Sequence, residues 1–111
     1  MNQDLVRNNI EELLSTCDRY INTIGEFTKN HPKAADASEK AVAEIEDFRA
    51  KWNDVLEKID TEGMDEEGEY SYTELSYSGS YAFVILSGIV KNYRFALERM
   101  QIAKEFEQYW L

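Results

Sequence analysis

Residues 41–59, AVAEIEDFRAKWNDVLEKI, carry apolar side chains at Ala41, Ile45, Phe48, Trp52, Val55 and Ile59, in steps of four and three without a miss. Such spacing returns to one side of an α-helix, whose turn closes every 3.6 residues, and so defines a single buried stripe. A helix with one such stripe must cover it with others, which makes a bundle the simplest solution. Gly63 is a natural terminator of this helix. Its start is set either by Asp36 and Glu39, spaced three apart like a capping box, or by Pro32 a turn earlier, giving a helix over about 34–61.

A similar stripe precedes it, at Val6, Ile10, Leu13, Cys17, Tyr20 or Ile21, Ile24 and Phe27. It predicts a helix over about 3–29, with Asn2 as N-cap and Asn30-His31-Pro32 as the stop. Gly25 interrupts this helix at a cost of about 1 kcal/mol relative to Ala, so its last turn is expected to bend or fray. A third stripe, Ile85, Ile89, Tyr93, Ala96, Met100, Ala103 and Phe106 or Trp110, predicts a helix over about 79–110, with Ser78, Gly79 and Ser80 offering the cap. Its opening residues, Tyr81 to Leu86, leave no polar face for nearly two turns. A helix apolar all round is buried all round. Either a fourth element from the preceding loop or a homodimer contact through Phe83 and Val84 is needed to cover it. Trp110, in the terminal Tyr109-Trp110-Leu111, either packs on the end of the bundle or serves as an exposed anchor. The expected fold is all-α: one domain, an antiparallel bundle of three long helices, with an acidic Tyr-containing loop over about 62–77 between helices 2 and 3.

That loop holds most of the chain's charge imbalance. The 111 residues contain 22 acids and 12 bases, a net charge of −10. Seven of the acids and none of the bases fall between Asp60 and Glu74, so the rest of the chain has fifteen acids against twelve bases, or −3. A field of this sign repels nucleic acid and anionic membrane and attracts a basic partner, at a rate that salt reduces. Tyr70, Tyr72, Tyr77 and Tyr81 interleave with or follow the acids. The alternation from Glu69 to Leu75 suggests a short extended segment. Tyrosine supplies much contact area with few rotors to freeze, which suits a binding surface; the competing reading is a solvated loop that only keeps the protein soluble.

Chemistry finds little support in the spacing. An EF-hand register begun at Asp65 gives Glu67 and Glu69, but Tyr70 takes the glycine position and Ser76 the closing acid. A di-iron bundle needs two Glu-x-x-His pairs, and the chain has one histidine, His31, with Thr28 three residues before it. One cysteine and one histidine exclude a zinc site of ordinary composition. Cys17 sits on an apolar stripe, where a thiol is an inert core residue. The glycines are isolated, so no phosphate cradle is formed, and the bases are scattered, without a stripe for nucleic acid. No catalytic residue, metal or cofactor is expected. The lone cysteine fits a reducing cytoplasm, and the most apolar run, Tyr81 to Val90, is too short to cross a bilayer.

In length, acidity and helical pattern the chain is similar to small phage inhibitors of host defence, nucleic-acid mimics and toxin immunity proteins. That likeness is one of composition and implies recognition rather than catalysis. The expected function is a non-enzymatic binding or inhibitory protein that docks on the basic surface of a protein partner, such as a nucleic-acid-processing enzyme, without binding nucleic acid itself. Glu62, Asp65, Glu66, Glu67 and Glu69 would steer the encounter, and Tyr70 and Tyr72 would make the short-range contacts. The alternative is a structural or adaptor bundle that acts by homo- or hetero-oligomerisation through Phe83, Val84 and Trp110.

Overall fold

The computed structural model describes residues 3–76 and 81–110; of Glu67 it describes the backbone only. The first two stripes become the facing sides of two 28-residue helices, α1 (Gln3–Asn30) and α2 (Ala35–Glu62). At 1.5 Å per residue each is about 42 Å long, which accounts for the 46 Å longest dimension of the molecule. Three cross-links at nearly constant summed residue number fix the pair as antiparallel. Arg7 Nε donates to Asp60 at 2.8 Å, Arg49 grips Asp18 with two bonds of 2.8 and 3.2 Å, and Thr28 Oγ1 lies 2.7 Å from Ser38 Oγ. Between them are packed Val6, Ile10, Leu13, Cys17, Ile24 and Phe27 from α1 and Ile45, Trp52 and Ile59 from α2, all essentially without solvent contact. Each such large side chain contributes about 1.5–3 kcal/mol by leaving water. Phe48, the one heptad position not fully covered, lies beside Trp52 with ring centroids 6.4 Å apart.

Gly25 does not fray α1, which runs on to Asn30. Its neighbours Ile24 and Phe27 are fully buried, and their packing outweighs the weak helix propensity of one glycine. The reversal is made by His31 and a 3-10 turn over Pro32–Ala34 that feeds directly into α2. Pro32, with its fixed φ and no N–H to lose, therefore sets the start of α2, and the Asp36 and Glu39 capping box is not used. At the far end Gly63, with φ 79°, closes the helix as its N–H donates to the Ile59 carbonyl at 3.0 Å.

Two expectations require correction. The stretch anticipated as a loop over 62–77, with an extended segment from Glu69 to Leu75, contains a third helix, α3 (Glu66–Ser76). Asp65 starts it: Oδ1 accepts the Gly68 N–H at 3.0 Å, satisfying one of the orphan donors of the first turn. The inward face of α3 is Gly68, Ser71, Tyr72 and Leu75, a helical spacing disguised by small residues. Gly68 is small for a reason, since a Cβ there would meet Met64 Cγ at 2.6 Å.

The third long helix anticipated over 79–110 is two helices, α4 (Tyr81–Arg99) and α5 (Ala103–Trp110). The break is a Schellman cap. Gln101 N–H donates to Glu98 O and Ile102 N–H to Leu97 O, both at 3.0 Å, with Gln101 at φ 65°. Buried Leu97 and Ile102 supply the accompanying apolar contact. The reversal folds Phe106 back among Phe27, Tyr93 and Trp110, with ring centroids 5.1–5.5 Å apart, and an Arg94–Glu107 ion pair of 2.7 Å ties α5 to α4. α4 lies along α2, while α3 packs against α1, α2 and α4. The architecture is thus all-α, with five α-helices among the described residues, and none of them is long and apolar enough to cross a membrane. The anticipated cap at Ser78 to Ser80, Tyr77 and the N-cap Asn2 lie outside the described residues.

Candidate functional site

The acidic segment is held as a rigid extension of the α1–α2 hairpin. Gln3 Oε1 accepts the Met64 N–H at 3.1 Å, its Nε2 reaches the Ile59 carbonyl at 3.5 Å, and Leu75 is buried in the core. These contacts orient α3 so that Glu66, Glu69, Tyr70 and Thr73, at helical spacing, share its outward side. Glu66 and Glu69 are exposed, and Tyr70 has 66% of its surface in solvent. Glu62 is exposed at the last residue of α2. Asp54 and Glu57 are exposed along the helix leading to it.

Electrostatically, this end of the molecule differs from the rest. Glu11 and Asp60 pair with Arg7, Asp18 with Arg49, Glu26 with Lys29 and Glu107 with Arg94, whereas along the sequence residues 59–90 contain no Lys or Arg. Among the described residues no Lys or Arg comes within ion-pair distance of Glu62, Asp65, Glu66 or Glu69. Carboxylates at the first turn of a helix are also favoured by its dipole, so Asp65 and Glu66 serve the local fold and the surface field together.

The anticipated contact residues separate into groups. Glu62, Asp65, Glu66, Glu69 and Tyr70 are brought to one exposed region. Glu67 belongs to the first turn of α3. Tyr72 is half-buried and packs against the core, so it supports α3 rather than presenting a free ring. Of the anticipated oligomer contacts, Val84 is exposed, Phe83 is half-buried against the core, and Trp110 packs on Tyr20 with the rings tilted by 43° and their centroids 4.4 Å apart. The all-apolar opening of α4 is therefore covered in part by α3, the local fourth element, while Tyr81, Val84 and Ile85 stay exposed.

Residues with chemical potential are dispersed. Cys17 is buried, and removal from water pushes its thiol pKa up to about 11. His31 stacks on Phe27 at 4.2 Å, and its Nδ1 lies 3.2 Å from the Phe27 carbonyl. Tyr93 OH lies 2.8 Å from Ser38 Oγ, which continues to Thr28, linking α4, α2 and α1; burial raises the Tyr93 pKa despite these hydrogen bonds. Among the described residues no group of three His, Cys, Asp or Glu side chains is gathered to hold a metal ion.

A groove of about 550 Å³ runs between α2 and α4, floored by Ala37, Ala41, Tyr93 and Ala96 and edged by Phe95 and Met100. The sequence stripes concealed it, because its small residues lie on the same inner faces as the large ones that fill the core. No protein-family model, curated protein or solved structure is significantly similar to this chain.

Proposed function

We propose that this is a non-enzymatic acidic binding protein that docks its α3 end on a basic surface of a protein partner, as an inhibitor or nucleic-acid mimic would. The observation that carries the reading is the helical display of Glu66, Glu69 and Tyr70, all exposed, in a stretch of sequence, residues 59–90, that contains no Lys or Arg. A mobile acidic loop must be ordered on binding and loses affinity for it; a preformed helix has its carboxylate spacing already set. Glu62, Asp65, Glu66, Glu67 and Glu69 steer the encounter over roughly a Debye length, about 8–10 Å at ordinary salt. Tyr70 provides the contact area at short range, and Tyr72 holds the platform from beneath. The partner is a protein evolved to bind phosphate backbone, and the chain itself contacts neither nucleic acid nor membrane. A cytoplasmic location accompanies this reading, with Cys17 kept reduced.

The test is to immobilise the protein, recover binders from its source cells at low salt, and elute them with a salt gradient. One basic protein eluting at moderate salt is the expected result. Glu62→Gln, Asp65→Asn, Glu66→Gln, Glu67→Gln and Glu69→Gln combined should then slow association at least tenfold and flatten its salt dependence. Asparagine caps a helix as well as aspartate does, so this variant removes charge while α3 stays formed. An unchanged association rate and salt slope would sink the reading.

A further inference from the structure

We propose that α5 is an exchangeable strap: its hinge straightens so that α4 and α5 become one helix, and two copies of this chain trade α5 helices to form a domain-swapped dimer. Neither the acidic residues of α3 nor the exposed face of α4 takes part. The residues at the break themselves favour a helix. Seven of the eight from Glu98 to Glu105, all but Ile102, are of the types that form helices best, and no Gly or Pro lies between Gly88 and Leu111.

The turn is made against that preference. Gln101 is the one described non-glycine residue with positive φ, at 65°, a region that L side chains avoid. α5 then begins at Ala103 directly after Ile102, whose side chain has no oxygen to cap the first N–H groups. Both costs vanish in a continuous helix, which also replaces the two Schellman hydrogen bonds with its own. What keeps the turn closed is therefore chiefly the packing of α5. Phe106 lies buried 5.2 Å from Phe27 and 5.1 Å from Tyr93 between ring centroids, Trp110 lies on Tyr20, Tyr109 OH accepts from Asn30 Nδ2 at 2.6 Å, and Glu107 holds Arg94. A helix-forming sequence bent by tertiary contacts alone is a local conflict with the global fold.

Geometry selects the occupant of the emptied slot. Phe106 follows Leu97 by nine residues, two and a half turns, so in a straight helix it faces about 180° away from the core that Leu97 enters. A straightened α5 cannot reach its own slot. Opening bares Phe106 and Trp110 on one side and the rings of Tyr20, Phe27 and Tyr93 on the other, and only the α5 of a second copy carries the sequence that fits them. After exchange each of these contacts recurs between copies, and only the two hinges differ from the monomer. Each copy gives and receives the same helix, so the assembly closes on a two-fold axis between the hinges.

The experiment unfolds the full chain in urea and refolds it at micromolar and at millimolar concentration. The unmodified protein should give monomer from the dilute sample and monomer with dimer from the concentrated one, separated by sedimentation velocity. Chains carrying Asn30→Cys, mixed with chains carrying Tyr109→Cys before refolding, should be joined in the dimer by a short bis-maleimide, since exchange brings residue 109 of one chain to residue 30 of the other. The buried Cys17 is silent in both. Gln101→Gly relieves the left-handed position and weakens the straight helix, so each hinge should favour closure by about fivefold or more; with two hinges per dimer, the dimerisation constant should fall about 25-fold or more. Gln101→Ala, as helical as glutamine and no better at positive φ, should not lower it. Monomer alone after concentrated refolding, a dimer in which unlike chains do not cross-link, or equal weakening by Gln101→Gly and Gln101→Ala would each overturn the proposal.

Discussion

The acidic face is only as fixed as the cap that starts α3, and removing that cap is the most direct perturbation of the structural account. In Asp65→Ala the Gly68 N–H loses its acceptor at 3.0 Å. Loss of an N-cap costs about 1 kcal/mol, within a range of roughly 0.5–2. An eleven-residue helix has almost no stability of its own in water, so the cost falls on the local equilibrium that detaches α3 from the hairpin, held chiefly by Leu75, Ser71 and Tyr72. One kcal/mol is about a fivefold change in that equilibrium. Native-state hydrogen exchange should show amides of α3 exchanging about fivefold faster, while those of the α1–α2 core keep the rate set by global unfolding. Asp65→Asn keeps the acceptor and loses only the favourable charge at the helix start, a few tenths of a kcal/mol, so exchange should rise by less than about twofold. Equal acceleration in the two variants would mean that charge, not the cap, holds α3. No protection of α3 in the unmodified protein would mean that it is not a helix in solution.

Two other perturbations follow from the same geometry. Gln101 occupies the left-handed position of the Schellman cap with a side chain that disfavours it; Gln101→Gly should raise stability by about 1 kcal/mol, or about 4 °C in Tm by thermal melting, whereas Gln101→Val should lower it. The folded state holds the Cys17 proton more tightly than the unfolded chain, with a pKa of about 11 against the usual 9.0. Its contribution to stability is therefore intact below pH 9 and lost as pH rises from 9 through about 11. Tyr93, also raised by burial, acts in the same direction above pH 10. Urea midpoints should fall between pH 8 and 10.5, and Cys17→Ala should flatten the part of the decline between pH 9 and 10; a rising midpoint would contradict the burial of the thiol.

What was legible in the sequence was what large apolar residues write at regular intervals. Val6 to Phe27 and Ala41 to Ile59 recur every three or four residues, and both became helices within a residue or two of the expected ends. Illegible were the elements whose defining residues are small or whose stop signal is conformational. α3 places Gly68 and Ser71 where a pattern search looks for leucine, and its outward Glu69, Tyr70 and Thr73 interleave with Ser71 and Tyr72 to imitate a strand. The stop between α4 and α5 carries neither glycine nor proline; it lies in the φ of Gln101 and in the apolar contact between Leu97 and Ile102, neither of which has a one-letter sign.

That α3 is a helix bears on function as well as fold, because a loop and a helix with the same seven acids nearby are different surfaces. In a loop, Glu66, Glu69 and Tyr70 would sample many separations and average into a diffuse negative field, sufficient for solubility. On α3 the two carboxylates and the ring hold one spacing, set by Asp65 at the start and Leu75 at the end and backed by a core that does not yield. A basic partner with its own fixed charge spacing can tell those two surfaces apart, since only the second can match it charge for charge without an ordering cost. Glu66→Gln with Glu69→Gln should therefore weaken binding more than removal of two acids from the mixed-charge outer side of α2, such as Glu46 and Asp47, at identical net charge. Equal effects would reduce the acidic end to a solvating patch.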